Sequence, residues 1–282
     1  MIKPLLVIMG IGLFFTSCTD VVDVDLTTEE PNLVIEASLD WEINDTGATT
    51  GNEQTVKLSM SSPYFSQDQV EMVTGATVKV VNNATGEEYP FTDQNNGYYT
   101  TFSFEPLVNQ SFTLYVEYDG ESYEATDTFE EGTVISNVDQ STEGGFDTDL
   151  TEINYYFQDD ATRDNFYFVK FYRDGDLLNS IETFSDEFIN GNLINNFYEL
   201  DDDDDDIEPL KPGDVVDINF YSITEPYYNY MNILIYQAEE VGNPFSTVPV
   251  GLQGNCKNVS GGKDAYGYFR TTQVNQVTYT VQ

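Results

Sequence analysis

Short runs in which apolar and polar residues alternate recur along the chain at spacings of about 10 residues, each closed by a turn signal. LVIEA at 33–37 and TVKLSM at 55–60 have strand length and β-type residues. ATVKVV at 76–81 alternates and meets Asn82-Asn83-Ala84-Thr85-Gly86. Glu87 to Phe91 follows, then the turn residues Asp93 to Gly97, then a third run of Tyr and Phe alternating with Thr and Ser from Tyr98. SFTLYVEY at 111–118 ends on Asp119-Gly120, a tight-hairpin pair, before Ser122 to Ala125. A period of two with frequent turns restricts such a chain to antiparallel sheets that pack face to face.

The second half continues the pattern with one exception. INYYF at 153–157, NFYFVKFY at 165–172 and VVDINFYS at 215–222 read as strands, the last introduced by Pro212-Gly213-Asp214, and QVTYTV at 276–281 closes the chain. The exception is 225–240, EPYYNYMNILIYQAEE. Tyr227, Tyr230, Met231, Leu234 and Ile235 recur there at helical spacing, with Pro226 in the first turn. The polar stretch 139–149 fits a long hairpin loop inside a second domain. The expected fold class is mainly β: two antiparallel β-sandwich domains, 32–133 and 134–282, with one helix at 225–240 in the second; Gly75-Ala76-Thr77-Val78, Gly86 and Asn96-Gly97-Tyr98-Tyr99 of the first resemble Ig-like and transthyretin-like modules of bacterial surface proteins.

Charge and composition narrow the function classes. Lys and Arg number 10 against 50 Asp and Glu, a formal net charge of -40, which argues against nucleic acid. The chain has no His, so no His-dependent triad or imidazole metal site exists. Twenty Tyr and 19 Phe are far too many for a disordered acidic chain.

The N-terminal segment reads as an address. Lys3 precedes the apolar run LLVIMGIGLFF at 5–15, which has the length of a signal-peptide core and is too short to span a bilayer. Phe15-Thr16-Ser17-Cys18 resembles a bacterial lipobox, cleaved before Cys18, whose sulfur would carry diacylglycerol. An ordinary secretory signal with a chance cysteine is the alternative. The reading is a signal peptide at 1–17 and a lipid-anchored acidic tether at 18–31. The acids after Cys18 also resemble the surface-export signal of Bacteroidota lipoproteins; an ordinary acidic linker on a periplasm-facing lipoprotein is the alternative. Cys256 is the other cysteine, so it has no disulfide partner in the mature chain; with no His beside it, it reads as a buried filler.

A family resemblance rests on an ordered block of residues: Lys211-Pro212-Gly213-Asp214, Ile223 to Tyr230, Gly242-Asn243-Pro244-Phe245, Gly254-Asn255, and Tyr266-Gly267-Tyr268-Phe269. With Leu33 to Glu36 and Asp186-Glu187…Asn190-Gly191, this resembles the DUF4249 family of Bacteroidota lipoproteins. The resemblance implies an outer-membrane address, often near TonB-dependent receptors, and no catalytic residues.

The remaining chemistry is sparse. The six aspartates at 201–206 suit a solvated acidic loop better than a Ca2+ loop, which spaces its acids; a docking patch for a basic partner is the other reading. No nucleophile-elbow, P-loop or dinucleotide-binding motif occurs. The expectation is therefore a non-enzymatic lipoprotein of the outer membrane, facing the cell exterior, with no cofactor and no metal. It would act as a binding or accessory subunit of a TonB-dependent receptor or other outer-membrane β-barrel machine. The alternative is a structural or adhesive surface lipoprotein with no transport partner. Asn243, Pro244, Phe245, Asn258 and Lys263, in the loops following the helix, are the candidate partner-binding residues, since exposed loops on a rigid scaffold carry binding.

Overall fold

The computed structural model describes residues 30–44, 49–50, 52–63, 69–200, 208–239 and 251–282. Cys18, the signal segment and most of the tether lie outside these residues, as do 201–206 and Asn243-Pro244-Phe245.

Among the described residues, strands dominate. In the first half they are β1 (Leu33–Ile43), β2 (Thr49–Thr50), β3 (Gln54–Met60), β4 (Thr77–Asn82), β5 (Glu88–Asp93), β6 (Tyr98–Thr101), β7 (Ser111–Tyr118) and β8 (Glu121–Thr128). In the second half they are β9 (Ile135–Ser141), β10 (Glu152–Gln158), β11 (Phe166–Arg173), β12 (Ser180–Ser185), β13 (Leu193–Glu199) and β14 (Val215–Ile223). The helix α1 (Glu225–Glu239) follows, then β15 (Lys257–Asn258) and β16 (Tyr266–Thr280). The described residues are mainly β, with one helix among them, where helical spacing places it.

Two layered cores result. In the first, β1, β3 and β6 face β4, β5, β7 and β8, with β5 pairing to both β4 and β6 so that the sheet folds over on itself. Leu33, Ile35, Ala37 and Leu39 of β1 alternate into this core against Val56, Leu58, Val80, Phe104, Phe112 and Leu114. The hairpin between β7 and β8 turns on Asp119 and Gly120, both at positive φ, as a tight primed turn requires. In the second core, β12-β11-β14-β16 faces a three-stranded sheet, β13-β10-β9.

The aromatic run in β11 has a physical reason. Tyr167, Val169 and Phe171 point into the second core, while Phe166 and Phe168 point to the other face, which α1 covers. β14 does the same, with Val216, Ile218 and Phe220 inward and Tyr221 and Ile223 under the helix. A strand buried on both faces loses its polar alternation. α1 contributes Tyr227 and Met231 as its buried stripe.

The last strand is the spine. β16 pairs with β1 in parallel over Tyr266 to Asn275 and with β14 antiparallel over Val274 to Thr280. The parallel ladder departs from the all-antiparallel expectation, because β16 arrives from a long connection rather than a hairpin. It also crosses the 133/134 boundary read from the sequence: Cys256, Ala265 and Phe269 complete the first core, although they come late in the chain. Pro31–Gln282 forms one unit of contacts.

Candidate functional site

Three places hold polar or apolar groups that regular packing does not demand: the loop after α1, the layer beneath α1, and one end of the second sandwich.

The loop holding Asn258 and Lys263 extends the edge of β8 through β15, where Lys257 and Asn258 pair with Glu124 and Tyr123. The Asn258 side chain turns inward on the loop. Its Oδ1 accepts the backbone N–H groups of Ser260 (2.8 Å), Gly261 (3.1 Å) and Gly262 (3.2 Å), and its Nδ2 donates to Glu121 Oε2 at 2.7 Å. The Asp264 carboxylate accepts the Asn258 N–H and pairs with the Lys257 ammonium. Asn258 thus fixes the loop, while Val259 and Lys263 are exposed on it.

Upstream, Gly254 and Asn255 plug a joint. A Cβ on Gly254 would lie 1.5 Å from the Gly267 carbonyl oxygen, and one on Gly267, at φ +91°, 2.1 Å from that of Ile35. Asn255 Nδ2 donates to the Phe269 carbonyl and its Oδ1 accepts the Phe269 N–H, both at 2.8 Å. One side-chain amide thereby serves β16 as a neighbouring strand would. Cys256 is buried in the first core and burial pushes its thiol up to about 12, so it is a filler and not a thiolate nucleophile.

Beneath α1 lies a scarce cation. Arg270 is 1% exposed, and its guanidinium sits 4.6 Å from the Tyr221 ring centroid, 5.1 Å from Tyr227 and 5.9 Å from Phe168. Asp40 of β1 accepts from its Nη2 at 2.5 Å, while Nε and Nη1 have no partner. Lys170 lies over the Phe168 and Tyr221 rings, and burial together with Arg270 lowers its pKa. Nearby, Asp127 accepts the Thr271 N–H at 2.8 Å and the Thr224 hydroxyl at 3.1 Å, tying β8 to β16 and to the start of α1. Burial raises this carboxyl to about 7 against those hydrogen bonds. The cluster joins the two sandwiches and the helix. It holds no nucleophile paired with a base.

The end of the second sandwich is different. Tyr198 stacks on Phe171 at 4.2 Å, which sets the end of β13 beside the end of β11. Arg173 at that end chelates Asp176 and donates to the Glu208 carbonyl, which fixes the loop after β11 against the turn before β14. The tips of this rigid frame are apolar. Leu177 is 100% exposed, Leu178 85%, and Phe146, in the loop between β9 and β10, 93%. Among the described residues Phe146 has one aromatic neighbour, Phe197, in a T-shaped contact with ring centroids 5.2 Å apart. Leu177 and Leu178 do not figure among the binding candidates expected from the sequence. Two adjacent leucines inside an acidic turn were the available signal.

The family model described as "Domain of unknown function (DUF4249)" matches residues 19–278. The chain belongs to the DUF4249 family. The family block quoted from the sequence maps onto architecture in this DUF4249 chain: the 211–214 turn, the start of α1, the Gly254–Gly267 joint and the Asn255–Phe269 clasp. No curated protein sequence matches the chain. Among solved structures, it is similar to the FN1-FN3 domains of chicken CNTN1, at 11% identity and a TM-score of 0.26, covering 70% of this chain and 62% of that one. It is also similar to a chain of a cytokine receptor complex (10% identity, TM-score 0.26, 70% and 92% covered). A third likeness is to the chicken interferon gamma receptor alpha chain (11%, TM-score 0.19, 67% and 88%). The chain thus spans less than two thirds of the CNTN1 fragment.

Proposed function

We propose that this DUF4249 chain is a lipid-anchored, non-catalytic binding or accessory subunit of an outer-membrane β-barrel or receptor of a Bacteroidota cell, displayed toward the exterior. The observation that carries the reading is the pairing of a rigid frame with bare apolar tips. Leu177, Leu178 and Phe146 stand in water at the end of a strand scaffold braced by Arg173 and Tyr198. Exposing such side chains on a chain of net charge -40 gains nothing for folding, whereas covering them with a partner recovers roughly 25 cal/mol per Å2 of apolar area. The loop displaying Val259 and Lys263 supplies a second contact.

The titratable groups support a binding role. The strongly shifted carboxyls, Asp127 and Glu182, are shifted by burial, and Asp127 is consumed by structural hydrogen bonds. Co-purification in mild detergent tests the proposal. The acylated chain should bring down a stoichiometric β-barrel partner, and Leu177→Asp with Leu178→Asp should release it at an unchanged melting temperature. A partner retained by that variant, or no partner at all, overturns the reading and leaves an adhesive surface protein.

A further inference from the structure

Glu152 and Glu199 face each other directly across β10 and β13. Like charges so placed repel, and here they are sheltered: Glu152 is 0% exposed. One oxygen of each carboxylate is satisfied. Glu152 Oε1 accepts from the Ser141 hydroxyl and from the Gly144 N–H at 2.9 Å. Glu199 Oε1 accepts the N–H groups of Phe146 (3.1 Å) and Asp147 (3.3 Å). The second oxygens, Glu152 Oε2 and Glu199 Oε2, are both buried and have no partner.

Those two orphans converge. A Cβ built on Gly145 would lie 1.9 Å from Glu199 Oε2 and 2.6 Å from Glu152 Oε2. Both oxygens therefore border one point, and their separation is at most ~4.5 Å, within the span that two ligands of one Ca2+ can bridge. Only glycine lets the loop backbone pass there. No ion pair of the described residues involves either glutamate, so no side-chain cation neutralises them. Asn154 Nδ2 and the Gly145 backbone N–H also reach the Glu152 carboxylate, and a cation set between the two Oε2 atoms would gain from both charges.

We infer that Glu152 and Glu199 hold a hard divalent cation, Ca2+ by ligand chemistry, through their two Oε2 atoms, with water completing its shell. Oxygen-only donors and the absence of imidazole or thiolate there exclude a soft metal. The backbone N–H groups on the Oε1 atoms hold both carboxylates in position. The cation fastens the 142–151 loop, and with it Phe146, to the end of the sandwich. This reading stands independently of the docking proposal.

Calorimetric titration of the EDTA-stripped chain with CaCl2, together with melting curves, decides it. The wild type should bind Ca2+ saturably and melt several degrees higher with it. Glu199→Gln puts an amide donor beside Glu152 Oε2. It should raise the melting temperature of the stripped protein and abolish the Ca2+ response. Glu152→Gln is the second variant should the first misfold, with the same loss expected. A wild type that neither binds Ca2+ saturably nor melts higher with it overturns the inference. So does a Ca2+ response retained in both variants, which would locate the metal elsewhere.

Discussion

Arg270 and Asp40 form an ion pair whose partners are not equivalent, and the difference is measurable. The Arg270 side chain is 1% exposed and the Asp40 side chain 26%. Asp40→Asn leaves a fully buried cation without its hydrogen-bonded counter-charge, with Lys170 close by and Asp127 as the remaining acid that acts on it. Removing one partner of a buried pair costs about 3–5 kcal/mol; with the three ring faces still offering some compensation, about 3 kcal/mol is expected. Arg270→Met leaves Asp40, which water already reaches. It forfeits ring–cation attraction of roughly 0.5–2 kcal/mol, but also removes two unsatisfied donor nitrogens that each carry a desolvation cost of similar size. Its net cost should fall within about 1 kcal/mol. Urea unfolding of the chain from residue 19 reads both variants. Trp41, the single tryptophan, sits beside Asp40 and reports on the same strand. Asp40→Asn should lower the midpoint by about 1 M urea, and Arg270→Met by a third of that or less. A methionine variant that loses more than the asparagine variant would refute the reasoning, because the guanidinium would then be a net source of stability.

Asp127 binds its proton more tightly folded than unfolded, so its contribution is greatest below about pH 4 and is lost as pH rises through about 7. Asp127→Asn should flatten this fall, gaining on the wild type by on the order of 2–4 kcal/mol at pH 8 and nothing at pH 4; equal pH profiles from chemical denaturation would contradict it. Gly267→Ala introduces a Cβ against the Ile35 carbonyl at a positive φ, and a loss of more than about 3 kcal/mol is expected by the same assay. Cys18→Ser should abolish labelling by a fatty-acid analogue and release the chain from the membrane fraction; labelling that persists would move the anchor elsewhere.

Much of the fold was legible because its signals are local. The 111–118 run, the Asp119-Gly120 turn and the 225–240 helix came from periodicity and turn chemistry within a few residues, and the observed elements agree to within a residue. β9, β12 and β13 were passed over. β12 is an edge strand with every residue half-buried, and β9 sends mainly Ile135 and Val138 toward the core, so neither shows a strong period of two. The parallel β1–β16 ladder, the Arg270–Asp40 pair and the Glu152–Glu199 convergence join residues far apart in the chain, and nothing local announces them. The sequence makes Asn258 an expected exposed binding residue. Its side chain is in fact spent on three backbone N–H groups, the habit that suits Asn to turns.

Site-specific photocrosslinking in intact cells is the most direct test of docking. A photoreactive residue at Leu177, on the bare apolar tip, should yield one dominant adduct with an outer-membrane β-barrel protein. The same residue at Tyr115, on the far sandwich, should yield none. No adduct at 177, or the same spread of adducts from both positions, would contradict an accessory subunit that docks through this end.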